Sequence, residues 1–245
     1  MKKFLLALTS FIVLNSFHAQ AQGDSATFAP SFAVKWNPES LVFGKISLLG
    51  EYNLKHKKSI TFGIGIPASH STTIELDDKD RRIEMKTLSV MGGYRMYLGK
   101  KTMSGVYFEP YLKYVKNDAN TIIDGDLNGR NINFVTTSKY SGTGVGAQLG
   151  VQFMIAKKVV FDFFFLGPEA NTASHKVVMH DTSTLPWTQA EADDAQNTID
   201  DNIGDLPIVG NKLKVMVDRN SKTISSDYSG FLPGIRFGLS VGVRF

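Results

Sequence analysis

The serine and histidine residues are the first group in this chain whose types could do chemistry. Ser174 and His175 are adjacent, His180 follows soon after, and His70 precedes Ser71. A hydrolase needs a nucleophile, a base and an orienting acid within mutual hydrogen-bond reach. Both residue types are also common in loops, and the spacing does not bring these side chains together. We therefore predict no catalytic residues and no cofactor.

An oxygen-rich segment, Asp124 to Gly129, has the spacing with which a calcium-binding loop begins. Gly129 stands where such a loop turns sharply, but the twelfth position is Val135 instead of a bidentate glutamate. We interpret the segment as a polar turn at a loop tip and predict no metal site.

A run of acidic residues follows later in the chain: Glu191, Asp193, Asp194, Asp200, Asp201 and Asp205. Such a run is usually solvated. It could also collect divalent cations or form a short polar helix from Thr188 to Ile203. The stretch after it, Lys212 to Val217, alternates basic and apolar residues, which predicts a hairpin with Thr223 to Tyr228 whose edge could add a partner's strand.

A further set of residues that could do chemistry is charged and alternates with apolar residues along the chain: Lys45, Glu51, Arg95, Glu109, Lys113, Asp162, Arg236 and Arg244. A β-strand sends successive side chains to opposite faces, so these charges are expected to share one face of a sheet. The element that must position the last two is the C-terminal stretch Phe231 to Phe245. Its alternation is typical of a strand with lipid on one side and a polar lumen on the other.

Seven further segments show the same alternation: Phe28 to Trp36, Ile46 to Leu54, Ile60 to Ile66, Lys86 to Leu98, Val106 to Lys116, Thr143 to Ile155 and Val159 to Gly167. The total of eight is the even number expected of a bacterial single-chain barrel, and most segments are long enough to cross a membrane at a tilt. The predicted fold class is all-β, an eight-stranded antiparallel up-and-down transmembrane β-barrel.

The connections between these segments divide into two kinds. Three are tight and basic, at Lys55 to Lys58, Gly99 to Lys101 and Lys157 to Lys158; three are long and polar, at Pro67 to Met85, Asn117 to Ser141 and Pro168 to Gly230. If strands are counted from Phe245 at the periplasmic rim, every tight turn falls on the periplasmic side of the membrane and every long loop on the outer side. Outer-membrane barrels have this arrangement. The short outer connection Asn37 to Val42 is the exception.

The N-terminus predicts export through the periplasm. Residues 1–21 combine Lys2 and Lys3, an apolar stretch and a small-residue cleavage site ending at Ala21, which is typical of a cleaved signal peptide. The mature chain, 22–245, then keeps 25 of the 27 basic residues against 23 acidic ones, too even a balance for nucleic-acid binding. The absence of cysteine excludes a lipid-modified cysteine and a thiolate metal site.

The charged face is expected to fill the inside of the barrel. Eight strands enclose a space just wide enough for side chains, and an unpaired buried charge is costly. We predict that the charges pair into a network that plugs the lumen, with interior glycines leaving space for Arg236 and Arg244. A narrow conduction path or a catalytic cleft is the alternative.

The signal segment, the stretch Lys35 to Leu41 and the closing strand together resemble the small bacterial outer-membrane β-barrel family, most of whose members have no characterised function. The architecture is similar to that of OmpX and of the transmembrane domain of OmpA. The closing residues resemble the signal that the outer-membrane assembly machinery recognises: Phe237, Leu239, Val241, Val243 and Phe245. Some small barrels of this kind modify lipid acyl chains with a histidine and a serine near the outer rim.

The sequence thus predicts a monomeric scaffold in the bacterial outer membrane that presents loops for structural or adhesion roles, mainly through 168–230. Its expected partners are membrane lipid and lipopolysaccharide, the assembly machinery and a surface ligand, without nucleic acid. A narrow pore for small solutes is the second reading, and a lipid-modifying enzyme is the third.

Overall fold

The structure, a computed structural model, describes residues 31–55, 57–68, 70–76, 79–203 and 212–245. The predicted signal peptide, 1–21, and residues 28–30 of the first predicted strand lie outside these ranges. The described residues form ten strands, a 3₁₀ helix (Pro38–Phe43) and an α-helix, α1 (Gln189–Ile203). The strands are β1 (Phe32–Asn37), β2 (Lys45–Lys55), β3 (Lys58–Pro67), β4 (His70–Leu76), β5 (Lys79–Tyr97), β6 (Gly105–Leu127), β7 (Arg130–Ile155), β8 (Val159–Asp181), β9 (Leu213–Asp218) and β10 (Thr223–Arg244).

The strands form one antiparallel sheet that closes in a ring. Within the described ranges the order is β1, β2, β3, β5, β6, β7, β8 and β10, and β10 pairs back with β1. β4 pairs with β5 beyond the end of β3, and β9 pairs with β10 beyond the end of β1. The all-β, antiparallel character of the prediction is confirmed, and all eight predicted segments contribute a strand to the ring.

The seam between the first and last strands is short. β1 and β10 pair from Ala33 opposite Arg244 to Trp36 opposite Val241, and Phe32 and Phe245 exchange two more backbone hydrogen bonds, at 3.3 and 2.8 Å. Asn37 extends the contact by donating from its side chain to the carbonyl of Leu239, at 3.3 Å. After Asn37 the chain leaves the sheet and forms the 3₁₀ helix, so among the described residues no strand pairs with β10 at that height through β1.

The tight turns predicted between β2 and β3 and between β7 and β8 are confirmed. The third, between β5 and β6, is at the predicted position but longer, since it spans residues 98–104. All three lie at the same end of the closed sheet as Phe32 and Phe245, whose aromatic side chains stack with centroids 4.9 Å apart. We call this end the terminal rim and the opposite end the hairpin end. The β7–β8 turn contains two residues with positive φ, Ala156 at 51° and Lys157 at 60°.

The long connections at the hairpin end are largely strands, which corrects their prediction as loops. Asn117 to Ser141 is a hairpin in which β6 and β7 pair up to a two-residue turn, Asn128 at φ 51° and Gly129 at φ 82°. Within Pro67 to Met85, β4 pairs with β5. Within Pro168 to Gly230, β8 continues to Asp181 and β10 begins at Thr223. These extensions are polar on much of both faces, so their strands lack the apolar alternation on which the prediction depended.

The short connection predicted at Asn37 to Val42 is the 3₁₀ helix, which ends at Gly44 with a φ of 64°. The carbonyl of Gly44 accepts hydrogen bonds from the backbone N–H of Ala68 and of Thr87, each at 3.0 Å. A Cβ at this position would lie 2.1 Å from the carbonyl oxygen of Met85. Only glycine satisfies both the left-handed backbone and this close approach.

The predicted hairpin beyond β8 is confirmed, since β9 pairs with β10 from Leu213 opposite Tyr228 to Asp218 opposite Thr223. The acidic run, interpreted from the sequence as solvated, follows the alternative of a short helix and lies largely on α1, while Asp205 lies outside the described residues.

Around the ring, apolar side chains point outward and charged ones inward. Phe62, Leu112 and Phe237 are 59%, 61% and 72% exposed, whereas Arg95 and Glu109 are completely buried. Water-soluble proteins place charged side chains outside and almost never bury them fully. The polarity of this ring is therefore reversed.

Candidate functional site

The interior of the ring contains a cluster of charged side chains, each supplied by a different strand. Lys35 comes from β1, Glu51 from β2, Arg95 from β5, Glu109 from β6 and Asp162 from β8, and all five are buried. Each occupies the inward parity of its strand, so the two-residue period of the backbone turns them toward one another. We call this group the central network.

Two cations join the carboxylates of the central network. The ammonium of Lys35 lies 2.7 Å from Glu51 Oε2 and 2.7 Å from Asp162 Oδ2. The guanidinium of Arg95 lies 2.7 Å from Asp162 Oδ2, 2.7 Å from Glu109 Oε2 and 3.3 Å from Glu51 Oε2. All five side chains have no accessible surface. The arrangement crosses the interior from wall to wall.

Amide and phenol groups complete the hydrogen bonding. Gln152 Oε1 accepts from Lys35 and from Arg95, each at 2.8 Å. Tyr97 donates to Glu51 Oε1 and Tyr107 donates to Asp162 Oδ1, each at 2.6 Å. The Arg95 guanidinium also lies 3.7 Å from the centroid of the Tyr107 ring, which adds a cation–π contact. Buried charges are tolerated when they are both paired and hydrogen-bonded, as these are.

A second layer lies nearer the hairpin end. Glu169 forms an ion pair with Lys113 and accepts a hydrogen bond from Tyr111 at 2.9 Å. Arg236 donates to Gln148 at 2.5 Å and lies 4.3 Å from the centroid of the Phe164 ring. Paired side chains therefore also occupy the interior above the central network.

The eight charges predicted from the sequence divide into three groups. Four belong to the central network: Glu51, Arg95, Glu109 and Asp162. Lys113, Arg236 and Lys45 lie in the second layer, where Lys45 donates to Ser89 at 3.1 Å. Arg244 lies apart at the terminal rim, 3.5 Å from the sulfur of Met154.

Several members of these layers were not among the predicted site residues: Lys35, Tyr97, Tyr107, Gln148, Gln152 and Glu169. Strand parity marks Lys35, Gln148 and Gln152, which lie on the polar face of predicted strands. The two tyrosines look apolar in a pattern, although each places a hydroxyl inside the ring. Glu169 fell in a predicted loop.

Glycines make room for side chains inside the ring, as predicted, but chiefly for Glu109 and Tyr107 and less for Arg236 and Arg244. A Cβ at Gly93 would lie 2.5 Å from Glu109 Oε1, and a Cβ at Gly150 would lie 2.3 Å from the hydroxyl of Tyr107. The expectation named Arg236 and Arg244; near Arg236, a Cβ at Gly167 would lie 3.1 Å from its Cβ.

The hairpin end has its own apolar core, formed by residues of β6, β7 and the segment containing α1. We call it the hairpin-end core: Leu127, Ile132, Phe134, Trp187, Ala192 and Ala195. Residues of β8, β9 and β10 pack against it, so α1, β9 and the extensions of β6, β7, β8 and β10 form one folded unit. The rings of Phe134 and Trp187 meet edge to face at 6.2 Å.

Two polar devices fix the start of α1 against the hairpin-end core. Thr188 and Glu191 form a capping box: Glu191 N–H donates to Thr188 Oγ1 at 3.2 Å, and Thr188 N–H donates to Glu191 Oε2 at 2.7 Å. Glu191 also pairs with Arg130 at 2.7 Å. The backbone hydrogen bond from Thr188, with its hydroxyl and Arg130, lowers the pKa of Glu191.

Asp181 holds the loop before α1. Its carboxylate accepts from the N–H and hydroxyl of Ser183 and from Trp187 Nε1, each at 2.7 Å. Burial opposes ionisation, but these hydrogen bonds prevail and lower the pKa of Asp181 below its ordinary value.

The histidines and serines weighed for catalysis are distributed over both faces of the sheet. Ser174 is exposed on the outward face, whereas His175 points inward, with Nε2 2.8 Å from the hydroxyl of Ser138. His180 contacts Thr223 at 3.3 Å. The side chain of His70 lies outside the described residues. Ser174 and His175 therefore do not form a pair.

The candidate calcium segment is part of the β6–β7 hairpin, where Asp126 accepts from the backbone N–H of Gly129 at 2.9 Å. The described part of the chain has no group of three or more histidine, aspartate or glutamate residues arranged to hold a metal ion. No α-helix among the described residues is long and apolar enough to cross a membrane.

Comparison with models of protein families gives no match, and a search of curated proteins finds no relative.

Proposed function

We propose that this protein is an integral outer-membrane β-barrel of eight up-and-down strands, which acts as a scaffold and presents a folded unit at the cell surface. The observation that carries the proposal is the reversed polarity of the ring. Fully buried ion pairs fill the inside, while the outside is apolar all the way round. Water would not stabilise such an exterior, but hydrocarbon would.

The height of the apolar exterior agrees with a bilayer. On β7 the outward positions run from Thr143 to Ile155 with Val145, Val151 and Phe153 among them. These 13 residues rise roughly 30 Å when a strand advances about 3.4 Å per residue and tilts by about 40°. The hydrocarbon core of a bilayer is about 30 Å thick.

The inside supports a plugged scaffold in preference to a pore. Lys35 and Arg95 bridge carboxylates on opposite walls, and Tyr97, Tyr107 and Gln152 occupy the space between them. A conducting path would need water where these side chains have no accessible surface. We assign the central network to holding the barrel walls together.

The folded unit at the hairpin end is the part suited to interaction. It lies opposite the terminal rim, so in the proposed orientation, with Phe245 toward the periplasm, it faces the outside of the cell. The hairpin-end core, the capping box and the Arg130–Glu191 pair hold it in a defined shape, so it can present a fixed surface to a ligand. The surface role, structural or adhesive, is located here.

Reconstitution tests the proposal directly. The purified protein should need detergent to stay monodisperse, should migrate differently on gels before and after boiling, and should give no steady single-channel current in planar bilayers. A steady current would favour the narrow pore. A protein that remains monodisperse in plain buffer contradicts membrane insertion and the scaffold role with it.

A further inference from the structure

Two concavities lie next to each other on the outward face of the ring, one over β6, β7 and β8 and the other over β3, β5, β6 and β7. The one nearer the hairpin end has a volume of about 370 Å³ and is polar, with Lys116, Lys139 and Lys176 among its lining residues. The other has a volume of about 900 Å³ and is largely apolar, with Leu112 and Val145 among its lining residues. Their joint shape is a basic pocket followed by an apolar groove.

The strand register makes the two concavities continuous. Lys116 lies opposite Ser141 in the polar pocket, Tyr114 lies opposite Thr143 in the groove, and Leu112 follows opposite Val145. Each step along the outward face advances two residues, about 7 Å. A molecule with an anionic head and an apolar tail could therefore lie across both concavities, with β6 and β7 shared by the two.

The charges of the polar pocket are not balanced. Lys139 and Lys176 lie directly opposite one another in the register, and like charges in that position repel. Asp118 lies opposite Lys139 on the other side, and Lys176 approaches Asp227 at 3.7 Å with both side chains half exposed. The described ion pairs include neither Lys116 nor Lys139. An anion placed among the three lysines would relieve this repulsion.

We propose that the double concavity binds one phosphorylated membrane lipid, with its phosphate among Lys116, Lys139 and Lys176 and an acyl chain in the groove below. The inference rests on the proposed membrane insertion, because the groove faces hydrocarbon only in that setting. Lysines at a membrane surface attract anionic lipid at about 1 kcal/mol each. Charge complementarity above and apolar complementarity below select a lipid over a free anion.

Gly92 offers a way to test the groove separately from the pocket. It lines the groove, and a Cβ built on it meets no atom within 4 Å. Gly92→Leu therefore adds an apolar side chain to the open groove, and its Cβ meets no neighbouring atom. It removes room for an acyl chain and leaves the three lysines in place.

The experiment uses the full chain in non-ionic detergent and native mass spectrometry to count bound dioleoyl phosphatidic acid. Wild type should bind one molecule. Lys116→Gln with Lys139→Gln and Lys176→Gln should weaken binding on the order of a hundredfold, and Gly92→Leu should also weaken it. The matched control, Lys100→Gln with Lys101→Gln and Lys158→Gln, removes the same charge from exposed positions near the terminal rim and should change binding less than twofold.

Dioleoylglycerol and inorganic phosphate separate the two halves of the ligand. Neither should bind or compete at equal concentration, because each lacks one half. Competition by inorganic phosphate alone would reduce the pocket to a general anion site and overturn the lipid assignment, as would equal binding by wild type and the triple lysine variant. If the protein needs detergent and still binds no phosphatidic acid, the lipid site fails while the proposed scaffold stands.

Discussion

Arg95 and Asp162 meet across the interior of the ring, with Nη1 2.7 Å from Oδ2. They lie on β5 and β8, which are not neighbours, since β6 and β7 stand between them in the sheet. The pair therefore joins two walls that backbone hydrogen bonds do not join. Its surroundings are fully buried, so neither charge has water as an alternative partner.

The first prediction concerns that pair. Arg95→Gln leaves Asp162, Glu109 and Glu51 short of a cation, and uncompensated buried charge costs about 3–5 kcal/mol. Urea unfolding of the reconstituted protein should show this loss of stability. Arg82→Gln is the control: Arg82 pairs with Glu84 at 3.5 Å, but both are largely exposed, so its cost should stay below about 1 kcal/mol. Equal midpoints for the two variants would contradict a structural role for the network.

The second prediction concerns space around Tyr107. Gly150→Ala puts a Cβ 2.3 Å from the Tyr107 hydroxyl and 2.6 Å from the carbonyl oxygen of Phe163, and the backbone oxygen cannot easily move. We expect a loss of about 1–3 kcal/mol by the same unfolding measurement. Gly92→Ala, which meets no atom within 4 Å, should be neutral within about 0.5 kcal/mol.

The third prediction concerns acid. Because the pKa of Asp181 is lowered in the folded state, its contribution to stability is complete above the unfolded value of about 3.9 and is lost as pH falls through the folded value. Below about pH 4 the hairpin-end core should loosen around Trp187. Fluorescence in a Trp36→Phe background reports Trp187 alone, since the chain has two tryptophans. In that background Asp181→Asn should reduce this acid transition, and the part that remains belongs to Glu191, whose pKa is also lowered; an unchanged transition would assign none of it to Asp181.

The fourth prediction concerns the third reading, lipid modification. His175→Ala removes the 2.8 Å contact with Ser138. If the protein is a scaffold, the acyl chains of membrane lipids should be the same with and without this substitution. Mass spectrometry of lipids from cells expressing either form makes the comparison, with cells lacking the protein as the baseline. An altered acyl pattern would favour the enzyme.

Alternation by itself located the ring strands. From Phe231 to Phe245 and in the seven other segments, side-chain parity follows from the two-residue period of a strand, and this needs no knowledge of neighbours. The same parity marked Glu51, Arg95, Glu109 and Asp162 as one face. It was also enough to place the tight turns between strands.

Only the tertiary structure decided which charges meet. Parity says that Arg95 and Arg244 share a face, but the height of each along the strand depends on register, and register puts one in the central network and the other at the terminal rim. The sequence did not predict the strand extensions past Lys116 and Gly167. They rise beyond the apolar band of the ring, so neither of their faces is regularly apolar and the alternation is lost. Lys35 meets Asp162, and Trp187 packs against Phe134, although each pair is far apart in the sequence. Closing a sheet into a ring brings such residues together, and their spacing along the chain carries no periodic signal.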